Sequence, residues 1–263
     1  MNEWPDGIDI SEEPVRRVHT RSRRRDTQIV FSTKPRGMRV SESSHEERFL
    51  KVAQLDPHVT VVRMQPTPLR VLIDGRWSRR VPDAAVLVDG RAEIHEVKEE
   101  AEYARADVRR GLLAIRDEVE RNPGWHYSVT LDRALNEPVL RANTDTLWRC
   151  LGDEYHLDLE QRTRELLDDA PTTMSEVIER TSGDPDDSLM NQGSWENLCA
   201  MIADGFVHFD VRAPLTPESL VWTACSGPMR DRTLPFHRPH RNDPVPIAAS
   251  VPVFNGLPIR IAS

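Results

Sequence analysis

The chain has 263 residues, 38% of them apolar and 30% charged, which describes a folding polymer with enough apolar side chains to build a core rather than a disordered one. No apolar run approaches the roughly 20 residues that cross a bilayer, and no signal-peptide core opens the chain, so a cytoplasmic protein with no membrane association is expected. Three cysteines, Cys150, Cys199 and Cys225, are far apart and odd in number; they fit reduced thiols and exclude a zinc pattern.

The net charge of −8 argues against a nucleic-acid partner only until its placement is considered. Between Pro14 and Val40 the basic residues are Arg16, Arg17, Arg21, Arg23, Arg24, Arg25, Lys34, Arg36 and Arg39, and Asp26 is the only acid. Such an arm can lie along phosphates and release counterions, or be a solvated basic tail. Of these, Arg21, Arg23, Arg24, Arg25, Lys34, Arg36 and Arg39 are the expected DNA contacts. Residues 1–40 look irregular and are expected to wrap onto a fold without forming one.

A helix is expected at 42–55, ended by Asp56-Pro57. Strand-like runs follow at 59–64, 69–73, 83–88 and 92–98, with turns at Asp74-Gly75 and Asp89-Gly90. A charged helix at 101–121 stops before Asn122-Pro123-Gly124. A strand at 127–131 leads to a short helix near 143–151. Strands flanked by helices make 41–152 an α/β domain. Helical patterns at 157–169, 174–180 and 188–204, then strands around 207–211 and 220–223, describe a mostly α winged helix-turn-helix domain over 153–225. Its third helix carries Asn191, Gln192, Trp195 and Asn197 but no basic residue, which suits protein docking better than groove reading. Residues 226–263 form an extended proline-rich tail. Its apolar positions Val251, Phe254, Leu257, Ile259 and Ile261 are a possible partner-docking strand.

The chemistry is concentrated in VPDAAVLVDGRAEIHEVK, Val81 to Lys98. If Asp89-Gly90 is a two-residue hairpin turn, residues whose numbers sum to 179 face each other, and Asp83 stands opposite Glu96. Lys98 shares their face, two residues beyond Glu96. The neighbours Ala84, Ala85, Val86, Leu87, Val88, Ile94 and Val97 are apolar, so two carboxylates are being placed where like charges are unfavourable. A divalent cation would satisfy them, and oxygen ligands favour Mg²⁺ or Mn²⁺. Such an ion can polarise a phosphodiester and acidify a bound water, with Lys98 orienting that water or neutralising developing charge. An ion-pair cluster on a structural hairpin is the plainer alternative. Glu46 falls with Phe49, Leu50 and Ala53 on one helical face and is a third candidate carboxylate.

These residues resemble the TnsA-type transposon endonucleases, which have a restriction-endonuclease-like PD-(D/E)xK core and a C-terminal winged helix. The resemblance runs through Lys34-x-Arg36-Gly37, Glu42-Ser43-x-x-Glu46-x-x-Phe49-Leu50, Asp56-Pro57-x-Val59, Gln65-Pro66, Pro82-Asp83, Glu96-Val97-Lys98 and Asn143 followed by Leu147. Ala84 and Ala85 stand where that family commonly has bulkier residues. The resemblance implies that Glu46, Asp83, Glu96 and Lys98 are catalytic, with Asp83, Glu96, Val97 and Glu46 holding Mg²⁺ or Mn²⁺. It implies a heteromeric transposase subunit that cuts the 5′ ends of a transposon on double-stranded DNA, beside a TnsB-like recombinase and a TnsC-like AAA+ ATPase. A stand-alone PD-(D/E)xK nuclease of defence or repair, or a catalytically inactive DNA-binding assembly module, are the alternatives.

Overall fold

In the computed structural model, the described residues are 4–11, 14, 28–34, 36–41, 43–183 and 188–239. An antiparallel pair, β1 (Gln28–Thr33) and β2 (Arg36–Ser41), comes first, so part of the segment expected to be irregular forms a hairpin. Ahead of it Trp4 and Ile8 are buried, and Trp4 stacks on Trp125 with ring centroids 5.7 Å apart.

Helix α1 (Ser44–Leu55) begins where Ser43 Oγ accepts the backbone N–H of Glu46. It ends at Asp56, a fully buried carboxylate that takes the N–H groups of His58, Thr233 and Leu234. Strands β3 (Val59–Met64), β4 (Leu69–Ile73), β5 (Arg76–Arg80), β6 (Ala84–Val88) and β7 (Arg91–Lys98) follow. The expected charged helix is broken into α2 (Glu100–Tyr103) and α3 (Ala106–Val119), and β8 (Trp125–Leu131) returns to the sheet. The main sheet is mixed, in the order β3-β6-β7-β8: β6 is antiparallel to β3 and β7, and β8 is parallel to β7 after the α2–α3 crossover. β4 and β5 form a separate two-stranded ribbon. The fold class is therefore mixed α/β.

Period-two alternation sorts β7 between two helical layers. Ala92 and Ile94 pack with Leu112 and Ile115 of α3, whereas Val97 packs with Phe49 and Leu50 of α1. The two layers lie on opposite faces of the sheet.

Next come α4 (Asp132–Leu135) and α5 (Pro138–Cys150). The latter starts earlier than expected because Pro138 occupies its first turn and Glu137 caps it. Asn143 is buried on α5 and donates to Val211 O and Ala213 O while accepting from Leu215 N, so it pins a distant loop. Helices α6 (Leu157–Asp169), α7 (Met174–Thr181) and α8 (Trp195–Ala203) join a small sheet of β9 (Thr172–Thr173), β10 (His208–Phe209) and β11 (Leu220–Trp222). The expected helix at 188–204 is shorter: a 3-10 turn at Leu189–Asn191 precedes Ser194, whose hydroxyl caps α8.

Residues 228–239, expected as tail, are a strap packed onto the body. Arg230 is buried and donates to Leu55 O and Ile202 O. Val129 and His237 exchange two backbone hydrogen bonds of 2.7 Å at the free edge of β8. The Tyr103 hydroxyl meets His237 Nε2 at 2.9 Å, and Arg116 donates to Pro239 O. Among the described residues no helix is long and apolar enough to cross a membrane.

Candidate active site

The β6–β7 hairpin positions the site. Asp89 and Gly90 both have positive φ, 49° and 74°, as a type I′ turn requires at its two central positions. The register that follows, Val88↔Arg91 through Ala84↔His95, brings Asp83 alongside Glu96 just beyond the last paired residues. The Val97 N–H donates to Asp83 Oδ2 at 2.8 Å, which fixes that carboxylate against β7.

Lys98 closes the cluster. Its ammonium donates to Glu96 Oε2 at 2.8 Å, to the Val97 carbonyl at 3.2 Å and to Asp83 Oδ2 at 3.4 Å. Three oxygens from three residues thus converge on one cationic position, with side-chain exposures of 15% for Asp83, 8% for Glu96 and 19% for Lys98. Burial and the neighbouring charge of Asp83 push the Glu96 carboxyl up to about 8, against the pull of Lys98. Burial alone would lower the Lys98 amine, but the charges of Asp83 and Glu96 outweigh it and raise the amine above its ordinary value.

The donor set fits a hard divalent ion. Two carboxylates and a peptide carbonyl are the oxygen ligands that Mg²⁺ and Mn²⁺ prefer, and a cation already sits among them as the lysine head. Val97 belongs to the set through its carbonyl. Asp83, Glu96 and Lys98 share the α3 face of the sheet. Glu46 stands half-buried in the first turn of α1, where its neighbour His45 meets Glu99, the residue after Lys98, at 3.6 Å. Among the described residues no three His, Cys, Asp or Glu side chains are gathered to hold an ion.

One member of the site had no sequence signal. Tyr127 on β8 pairs in register with Ile94 and therefore faces the same side as Glu96. Its ring is fully buried, and among the described residues its hydroxyl has no hydrogen-bond partner. Burial raises the phenol well above its ordinary value, and the charges of Glu96 and Asp83 add to the effect. An orphaned buried donor beside two carboxylates is costly unless something fills the space between them.

On the opposite face, Glu93, His95 and Arg232 form a separate buried network. Arg232 grips Glu93 with two bonds of 3.0 and 2.9 Å, and His95 Nε2 meets the same carboxylate at 2.9 Å. Burial opposes ionisation of Glu93, yet its bonds to His95 and Arg232 bring it down to about 2. Burial lowers the His95 imidazole, against the pull of its hydrogen bond to Glu93.

The expected DNA contacts fare differently. Lys34 is drawn into the fold: its ammonium donates to Asp56 O at 2.6 Å at the end of α1, and burial lowers it to about 8. It is occupied as a helix C-terminal partner, not presented to phosphate. Arg36 and Arg39 stand on β2, and their side chains, together with Arg21, Arg23, Arg24 and Arg25, lie outside the described residues. The docking positions Val251, Phe254, Leu257, Ile259 and Ile261 also lie outside them.

Neither protein-family models nor curated proteins give a match to this chain. What the site does must be read from its chemistry.

Proposed function

We propose that the chain is a metal-dependent DNA endonuclease with a PD-(D/E)xK core, acting as the 5′-end-cutting subunit of a heteromeric TnsA/TnsB/TnsC-like transposase. The observation that carries the reading is the convergence of Asp83, Glu96 and the Val97 carbonyl on one cation position. An ordinary ion pair needs one carboxylate; a second, buried against the first and forced up to about 8, is an arrangement that stability alone disfavours.

In this mechanism Asp83, Glu96 and the Val97 carbonyl would hold Mg²⁺ or Mn²⁺. When bound, the ion supplies Lewis acidity toward a phosphodiester oxygen and toward a water. Asp83 is held in place by the Val97 N–H, so its second oxygen is aimed and not free to rotate. Lys98 keeps a positive charge beside the reacting phosphate and stabilises the negative charge that develops there. The Tyr127 hydroxyl, buried near the charges of Glu96 and Asp83 and unpaired among the described residues, would be a donor for a water or phosphate oxygen there.

The C-terminal helices and three-stranded sheet support a winged helix in a docking role. In α8, residues Leu198 to Ala203 are buried, and the Asn197 amide is engaged by Leu189 O and Gln192 O. Little of that helix is left to read a groove.

The test is cleavage of a transposon-end duplex by the full chain with and without its TnsB-like recombinase and TnsC-like ATPase. The reading expects weak cutting alone and strong cutting at the 5′ ends in the complex. Robust site-specific cutting by the isolated chain would favour a stand-alone nuclease instead.

A further inference from the structure

The β4–β5 ribbon has a feature the catalytic centre does not use. Its inner face, Leu69, Val71 and Ile73, packs toward α3 and the core. Its outer face is built from two cross-strand pairs, Arg70↔Arg79 and Leu72↔Trp77, all four exposed. Trp77 is 62% exposed, and the Arg70 guanidinium lies over its ring at 5.2 Å. Arg76 and Arg80 are exposed along the edge strand.

Two like charges directly opposite each other destabilise a sheet, and acids usually stand nearby to relieve them. None does here. Among the described residues Arg70, Arg76, Arg79 and Arg80 form no ion pair with a carboxylate, and the ribbon's single acid, Asp74, lies in the turn facing Arg110 at 3.8 Å. Four unneutralised arginines and a bare indole on one small ribbon, in a chain of net charge −8, are a local exception that calls for an anion.

We propose that this ribbon is a duplex-DNA-binding surface, laying the Arg70–Arg79 and Leu72–Trp77 face against the backbone and groove of the DNA that is cut. It rests on the endonuclease reading. A planar guanidinium takes a phosphate with two parallel bonds, and the B-form major groove admits a two-stranded ribbon. Position agrees with chemistry. Arg80 is three residues before Asp83, so at most about 10 Å of chain separates the end of the ribbon from the catalytic carboxylate. The Asp83 carbonyl also accepts the Gln65 N–H, tying the base of the ribbon to the site. Phosphates held by the ribbon therefore lie next to the one presented for hydrolysis.

The test is binding of the full chain to a labelled duplex of arbitrary sequence, followed by fluorescence anisotropy in EDTA across a salt series. Each phosphate contact contributes about 0.9 to the slope of log K against log salt. The R70Q/R79Q variant should bind more weakly and lose about 2 from the magnitude of that slope. R70K/R79K should keep most of the slope, and W77A should lower affinity with the slope unchanged. Thermal melting checks folding, and the single variant R79Q, with a loss of about 1, serves if the double one is unstable. An unchanged slope and affinity in the glutamine variants overturns the proposal. So does a change confined to self-association or to binding of a polyglutamate peptide, which would make the ribbon a protein interface. Failure of the endonuclease reading is recognised separately: Asp83→Asn would leave cleavage unaffected while the ribbon variants still lost DNA.

Discussion

Replacing Glu96 by glutamine removes one of two buried negative charges and keeps the shape, so it measures what the carboxylate pair costs the empty protein. Glu96 sits at about 8 in the fold against an ordinary 4.5. Its folded-state value is raised, so its contribution to stability is fully present below 4.5 and declines as pH rises toward 8. Each pH unit in that window costs about 1.4 kcal/mol, giving about 3 kcal/mol at pH 7. Glutamine imitates the protonated acid and escapes the loss. In EDTA, Glu96→Gln should match the wild type near pH 4.5 and exceed it by about 3 kcal/mol at pH 7, a melting-point gain of roughly 6–12 °C for a chain of this size. Saturating Mg²⁺ should then raise the wild type alone and narrow the gap, because only the intact pair binds the ion. Differential scanning fluorimetry across pH, with and without Mg²⁺, reads both effects. A variant less stable than wild type at pH 7, or a gap independent of pH, would refute the reasoning.

Tyr127→Phe removes a buried hydroxyl that has no partner among the described residues. It should raise metal-free stability by about 1 kcal/mol and slow cleavage; a loss of 2 kcal/mol or more by thermal melting would mean the hydroxyl is already satisfied. Arg232→Met strands the Glu93 carboxylate and should cost about 3 kcal/mol at pH 7, with Glu93→Gln added to it restoring most of the loss in a denaturant-based double-mutant cycle. Because Glu93 is held down to about 2, its contribution is present above pH 4.5 and is lost as pH falls toward 2, so the two proteins should converge over that range.

The hairpin at the centre of the site was legible because its register depends on one local device, the Asp89-Gly90 turn. Once that turn is placed, the partners of every residue from Ala84 to Val88 follow. Helix α1 and the strands around it were likewise local signals. Features without such signals escaped. β5 is Arg-Trp-Ser-Arg-Arg, exposed along nearly its whole length, so it shows no apolar alternation. The strap at 228–239 is held by Arg232–Glu93 and Leu234–Asp56, pairs 139 and 178 residues apart, and proline-rich composition conceals such long-range partners. Lys34 reads as one more basic residue in a basic arm, and only the fold reveals that its ammonium is used on Asp56. Tyr127 looks like any strand aromatic until its hydroxyl is found without a partner. Glu46 was placed on α1 beside its apolar stripe, and among the described residues it is not gathered with two further ligand-type side chains.

The most direct test of the site is nicking of supercoiled plasmid by the full chain in Mg²⁺ or Mn²⁺, beside Asp83→Ala and Lys98→Ala. The wild type should nick weakly, stop in EDTA and resume when the ion is restored, while both variants stay inactive with their folds intact. Cleavage that survives in Asp83→Ala, or a wild type with no metal-dependent nicking, would contradict it.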